Sequence, residues 1–246
     1  SKSFCNGQYA FAGLSSALMA QVGLEGHDDV IGTHEGLLDA WGDPSLRDEA
    51  TRGLGSDFRI LGANFKFYNA GYPIHTPIEA ALTIAKRDGI ALSDIRAVLI
   101  GMPENALKVV DDRAMANISV QNMVAAHLVR GGLRLDEMPF PSMFNDPAYK
   151  GLRPKVSASV DPELEREFPN GRGARVTIAT NDGATHTLRI DNPRGHSLRG
   201  KISWEDLHEK WRAVLPHIDL DGALEKARNL ERLESAASLF DAYTLK

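Results

Sequence analysis

Between positions 66 and 75 the chain reads Lys-Phe-Tyr-Asn-Ala-Gly-Tyr-Pro-Ile-His, with Lys66 and His75 at the two ends of a turn-rich segment and Tyr68 and Tyr72 between them. These side chains handle protons and anions. A lysine cation can pair with a carboxylate, or exchange a proton near neutral pH if desolvation lowers its pKa. An unperturbed imidazole titrates close to neutrality and can act as acid or base. The two phenols can hydrogen-bond a carboxylate, or simply pack with a polar tip. The blander accounts of the end residues are a solvated surface lysine and a helix-terminal histidine that satisfies backbone groups.

Composition bounds that chemistry. The 246 residues carry a net charge of -5, with 25% charged and 43% hydrophobic residues, the profile of an ordinary globular protein. The cations are scattered, so no nucleic-acid partner is expected. No window approaches the roughly 18 consecutive apolar residues of a membrane span, and Ser1 to Gly7 lack a basic-then-apolar export signal, so no membrane association is expected. Cys5 is the single cysteine, which excludes an intrachain disulfide or a cysteine-held iron–sulfur cluster and makes a cytoplasmic or other reducing compartment the simplest expectation. The eight histidines are dispersed without His-Glu-x-x-His spacing, and Gly171-Arg172-Gly173 leads into a strand-like run and not a helix. No metal and no nucleotide cofactor is therefore expected.

Several elements must position the segment. Gly7, Ala10, Gly13, Ala17 and Ala20 share one helical face, a spacing that predicts a helix packed closely against others and stopped at Gly23. A polar, glycine-dotted stretch from Thr51 to Gly62 marks a boundary. Pro77 suits a first helical turn, with Ile78, Ala81, Leu82 and Ala85 forming a stripe that ends at Asp88-Gly89. A strand is predicted over Ile95–Met102 and a helix over Ala114–Val129 before Gly131-Gly132. Residues 155–160 and 175–190 carry the clearest β signal, with a hairpin turn at Asn181-Asp182-Gly183. Ser203 reads as an N-cap with Asp206 at N3, opening a helix through Leu215, and a last helix is predicted from Leu220 to Phe240.

Four separate patches carry a resemblance. They are Gly7-x-x-Ala10-x-x-Gly13-x-x-x-Ala17-Leu18-x-Ala20-x-x-Gly23, then Lys66-x-Tyr68 with His75, then Ala116-x-x-Ser119 running to Gly131-Gly132, and Pro193-Arg194-Gly195 before Ser203-Trp204-Glu205-Asp206-Leu207. In that order they resemble the MmgE/PrpD family, which includes dehydratases, decarboxylases and epimerases of small carboxylates. Asn69 and Gly71 depart from the common Lys-x-Tyr-Pro-x-Cys, and Asn122 stands where an aromatic is common, which implies an altered substrate pocket.

The resemblance covers about the C-terminal half of a typical member. It implies an α+β chain, the C-terminal part of an all-helical domain with an inserted α+β lid domain. Residues 1–62 would begin the helical domain, 63–193 form the lid and 194–246 return to the helical domain. It also implies an active site between the domains, for which the N-terminal half supplies an aspartate and histidines. A complementary N-terminal chain is therefore the expected partner, alongside a family-type dimer, because an exposed half-domain with a small-residue face is poorly soluble.

The same resemblance implies a cofactor-independent lyase, dehydratase or decarboxylase, acting on a small anionic di- or tricarboxylate by proton transfer next to a carboxyl group. Lys66 and His75 would be catalytic. Tyr68, Tyr72, Ser119, Lys2 and Arg194 would bind substrate, although Ser119 also suits a helix cap, Lys2 sits at a chain end, and Arg194 lies in a turn that is polar in any case. An epimerase or isomerase of the same family, and a non-catalytic regulatory subunit, are the alternatives.

Overall fold

Runs rich in β-branched residues, alternating clearly in 175–190 and only loosely in 95–102, build the sheet on which the second part of the chain is organised. In the computed structural model, which describes residues 2–42, 48–49, 51–135, 137, 141–215 and 218–243, strands β1 (Ile95–Met102), β2 (Val156–Val160), β3 (Ala174–Thr180) and β4 (Thr185–Ile190) lie in the order β2-β1-β3-β4. β1 pairs parallel with β2 and antiparallel with β3, and β3 pairs antiparallel with β4. Register places Val98 opposite Ile178 and Ile100 opposite Val176, so four side chains that are 0–1% exposed meet on one face. Leu99 and Thr177 alternate to the other side, where the Thr177 and Thr187 hydroxyls pair at 2.8 Å. The hairpin turns at the predicted residues, with Gly183 at φ +91°.

Chain contacts divide the molecule into two units, residues 1–59 and 60–246. In the second, helices α3 (His75–Arg87) and α5 (Val120–Arg130) cover the buried sheet face. Of the predicted α3 stripe Ile78 and Ala81 are buried and Leu82 and Ala85 partly buried, and Ile84, outside that stripe, is buried in the same core as Val124, Val98 and Ile178. Each such isoleucine contributes about 1.5–3 kcal/mol through the apolar surface it removes from water. α5 begins six residues later than predicted. Ser119 adopts an extended backbone and its Oγ accepts the Asn122 N–H at 3.3 Å, so residues 116–118 form a separate 3-10 turn. Three short helices escaped sequence reading, α4 (Glu104–Val110), α6 (Pro147–Leu152) and α7 (Pro162–Glu167), because none is long enough to show a period.

Beyond the sheet, α8 (Trp204–Val214) starts at the predicted capping box: Ser203 Oγ accepts the Asp206 N–H and the Asp206 carboxylate accepts the Ser203 N–H. α9 (Leu220–Arg228) is shorter than predicted. The chain folds back into 3-10 turns over Leu230–Arg232 and Ala236–Tyr243, where Lys226 Nζ donates to the Ser238 carbonyl at 2.7 Å.

The first unit contains α1 (Lys2–Gln21) and α2 (Leu37–Trp41). α1 is helical as predicted, and Gly23 follows it at φ +93°. Its close packing is not found. Phe4, Tyr9, Phe11, Leu14 and Leu18 are exposed, and a Cβ on Gly7 or Gly13 would meet nothing within 4 Å. With α2 only five residues long, the described part of this unit holds no α-helix able to cover a twenty-residue face. Among the described residues no helix is long and apolar enough to cross a membrane.

One close approach ties the Lys66 segment to the turn before α8. The Phe65 N–H donates to the Gly195 carbonyl at 2.8 Å, and Gly195 sits at φ +90°. A Cβ there would lie 2.2 Å from the Phe65 carbonyl oxygen and 2.9 Å from the Phe67 ring. Gly195→Ala is therefore expected to destabilise the protein by about 2–4 kcal/mol through strain and overpacking. An unchanged denaturant midpoint would contradict this account.

Candidate active site

A 3-10 turn over Tyr72–Ile74 delivers the chain into α3, with Pro73 setting the backbone for the turn and the Ile74 N–H closing it on the Gly71 carbonyl at 2.9 Å. The Gly71 N–H donates to the Asn117 carbonyl at 2.8 Å, which anchors this loop just ahead of α5. The first residue of α3 is His75. Its position carries the imidazole inward, where it is 0% exposed and neither ring nitrogen has a hydrogen-bond partner of good geometry. A buried polar group in that state is costly, which marks the ring as something other than a cap.

Aromatic rings surround it in sequence. Tyr68 meets His75 edge-on at 5.3 Å and His127 of α5 edge-on at 5.2 Å, while Tyr72 lies 5.3 Å from His75 and stacks on His196 at 6.5 Å. The result is a ladder of five rings, His127, Tyr68, His75, Tyr72 and His196. The outer two have fixed ring orientations, because His127 Nδ1 accepts the Leu133 N–H at 3.2 Å and His196 Nδ1 accepts the Leu198 N–H at 3.1 Å. For neutral His127 this assigns the proton to Nε2, which is buried without a partner, as is the Tyr72 hydroxyl.

Burial sets the protonation states. His75 is pushed down to about 4, first by desolvation and then by the Lys66 cation, with the Ala70 backbone opposing. Desolvation alone brings His127 to about 4. Burial raises Tyr68 to about 12, helped by the Glu79 carboxylate. At neutral pH the buried rings are thus uncharged, and the positive charge of the region resides on lysine. Lys66 Nζ donates to the Ala70 carbonyl at 3.0 Å, which closes the segment between Lys66 and Ala70 into a turn.

The structure therefore brings Lys66, Tyr68, Tyr72 and His75 into one cluster. It places the other candidates elsewhere. The Ser119 hydroxyl is fully buried as the cap of α5, with Gln121 Oε1 at 3.4 Å. Arg194 makes ion pairs with Asp206 and Glu209 of α8, lies over the Phe67 ring at 4.3 Å and gives its backbone N–H to Glu79 at 2.8 Å, so it fastens α8 and α3 to the irregular stretch 65–67. Lys2 opens α1 in the first unit, and its side chain lies outside the described residues. Asn122 accepts from Tyr149 at 3.0 Å and from Arg153 at 2.6 Å, which accounts for a polar residue at that buried position.

Sequence reading missed His127. Its signal was an imidazole inside an otherwise apolar helix run. Among the described residues, no group of three or more His, Cys, Asp or Glu side chains is placed to hold a metal ion.

The sequence profile of the MmgE/PrpD C-terminal domain matches residues 68–234. The chain belongs to the MmgE/PrpD family. It is also 26% identical, over 249 aligned positions, to cis-aconitate decarboxylase of Homo sapiens, an alignment that takes in 95% of this chain and 50% of the relative. The chain thus spans about half the length of that curated relative. Within this MmgE/PrpD chain the profile match contains four rungs of the ring ladder from Tyr68 onward together with His127, and begins two residues after Lys66.

Two outcomes follow from the buried polar groups. His75 and His127 have folded pKa values below the unfolded value of 6.5, so the unfolded chain binds more protons between about 4 and 6.5. Their contribution is complete above pH 6.5 and is lost as pH falls toward 4, on the order of several kcal/mol for the pair. Urea midpoints measured across that window should fall steadily, and His75→Gln with His127→Gln should flatten the slope. Tyr72→Phe removes a buried hydroxyl with no partner, so thermal stability should be unchanged or higher by about 1 kcal/mol. A clear loss of stability would reveal a partner for that hydroxyl.

Proposed function

We propose that this MmgE/PrpD chain is the C-terminal subunit or fragment of a cofactor-independent lyase, a dehydratase or decarboxylase, that moves a proton next to a carboxyl group of a small di- or tricarboxylate. The observation that carries the reading is His75, a fully buried imidazole whose nitrogens make no hydrogen bond of good geometry and whose ring feels the Lys66 charge. The decarboxylase named above supplies the substrate class, since cis-aconitate is a tricarboxylate.

The electrostatics suit that chemistry. In the empty site His75 is neutral at physiological pH, and its free nitrogen can accept a proton. A bound carboxylate takes up the Lys66 charge and places a negative group near the ring, which reverses the largest charge effect on it and raises its pKa toward neutrality. His75, once protonated, can then give its proton to the carbon that carbon dioxide has left, or as the neutral base take a proton from carbon and pass it to the hydroxyl that departs from the neighbouring carbon as water. Lys66 stabilises the negative charge that develops on the carboxylate in either course. Tyr72, with its hydroxyl unpaired, supplies a donor to the same anion.

In this reading residues 63–193 are the lid, residues 1–62 and 194–246 belong to a helical domain, and the half of the relative that this chain does not match corresponds to a complementary N-terminal part. The exposed apolar face of α1 is consistent with such a partner. Lys66→Ala in the assembled protein should lower kcat/KM on cis-aconitate by about 10²–10⁴ while the fold is retained. Near-normal turnover, or full activity from the N-terminal part alone, would overturn the proposal.

A further inference from the structure

The loop Gly171-Arg172-Gly173 is pinned between the two stretches of chain that carry Tyr72, His75 and His196. The hydroxyl of Thr76, next to His75, donates to the Arg172 carbonyl at 2.8 Å, and the Arg172 N–H is shared between the Asp191 carbonyl at 3.2 Å and Asn192 Oδ1 at 3.3 Å. Gly173 leaves the loop no room to shift, since a Cβ there would lie 2.9 Å from the Leu164 side chain and 3.0 Å from the Ile190 carbonyl oxygen. Residue 172 is thereby held at the start of α3 and just ahead of the turn that presents His196, whose ring stacks on Tyr72. Its side chain is half-buried, with the guanidinium over the Phe168 ring, 5.0 Å from the centre.

Among the described residues the Arg172 guanidinium makes no hydrogen bond and no ion pair. The acids that its loop approaches are held by another cation, since Arg189 pairs with Asp191 at 2.7 Å and with Glu167 at 2.5 Å. Arginine stays protonated at any physiological pH, and its fork of donors matches a carboxylate in a bidentate pair. The turn beyond Asn192 adds a neutral donor. His196 Nδ1 accepts the Leu198 N–H, so in neutral His196 the proton is on Nε2, which has no partner among the described residues and, unlike His127 Nε2, is not sealed from solvent. The Tyr72 hydroxyl, in the same stack, is also without a partner. Burial raises Tyr72 and lowers His196, and the Arg172 cation then acts on both, which agrees with a guanidinium close to their rings.

A guanidinium, an imidazole N–H and a phenol O–H gathered at one stack of rings suit a carboxylate, which can accept from all three. We propose that Arg172 and His196, with the Tyr72 hydroxyl, bind a second carboxylate of the substrate, one ring beyond the position that His75 serves, so that the site selects di- and tricarboxylates over monocarboxylates. This rests on the reading of the Lys66–His75 cluster as a carboxylate site and adds to it the residues that discriminate by charge number.

The test is calorimetric titration of the full chain, with any partner chain it carries, using propane-1,2,3-tricarboxylate and butanoate as probes at low salt. Arg172→Met should weaken tricarboxylate binding about tenfold, as loss of one partly buried charge pair does, and leave butanoate binding unchanged, whereas a purely structural arginine would lower both alike. Arg172→Lys keeps the charge and loses the fork, so its affinity should lie between those of Arg172→Met and the unaltered protein. His196→Asn retains an acceptor for the Leu198 N–H and removes the Nε2 proton, and should weaken the tricarboxylate alone by about fivefold. In nitrogen magnetic resonance spectra the His196 Nε2 signal should shift on addition of the tricarboxylate and stay in place with butanoate. Unchanged tricarboxylate affinity in Arg172→Met, an equal loss for both probes, a His196 signal that the tricarboxylate does not move, or failure of the unaltered protein to bind the tricarboxylate would overturn the inference. Arg172-dependent binding without any turnover would remove the lyase reading and leave this inference standing. Turnover with no effect of Arg172→Met on affinity would do the reverse.

Discussion

The approach of Gly195 to Phe65 is the constraint on which the candidate site depends. Glycine is the residue that fits there, since any Cβ would overlap the Phe65 carbonyl, and its positive φ lets its carbonyl accept the Phe65 N–H. That one contact lays the irregular stretch 65–67 against the turn that leads to α8. Glu79, one turn into α3 from His75, then holds the same turn through the Arg194 N–H and an ion pair with Arg199 at 2.5 Å. The stretch around residue 66, the start of α3 and the distant turn at 194–195 are thereby fixed as neighbours.

What they enclose is electrostatically unusual because of what is left out. Most buried imidazoles are held by hydrogen bonds, and those bonds decide both tautomer and pKa. His75 has aromatic edges on two sides and lysine charge nearby, so its proton affinity is set by desolvation and by a cation whose influence a ligand can cancel. The outer histidines, by contrast, are oriented by backbone N–H groups. The central ring is the one left responsive to an incoming anion.

Local chemistry made part of this legible in the sequence. The alternation in 175–190, the α3 stripe and the Ser203 capping box depend on near neighbours, and each appears where its pattern placed it. Lys66, Tyr68, Tyr72 and His75 converge because a ten-residue segment can bring its own ends together. Features that depend on distant chain were not readable. His127 joins the ring ladder only because α5 lies beside α3, and Arg194 is paired with acids twelve and fifteen residues away. The small-residue face of α1 announced a close helix partner that the described chain does not contain.

The ring ladder also has an insulating property. Its five members touch through π faces and edges, and the His75 nitrogens make no hydrogen bond to Tyr68, Tyr72 or either outer histidine. Protons move along hydrogen bonds, so the ladder conducts none. The one backbone group acting on His75, that of Ala70, has no titratable proton to exchange. Among the described residues, none of the titratable rings packed on His75 is hydrogen-bonded to its nitrogens. Among the described residues the ladder is thus a packing device for its rings and not a proton relay.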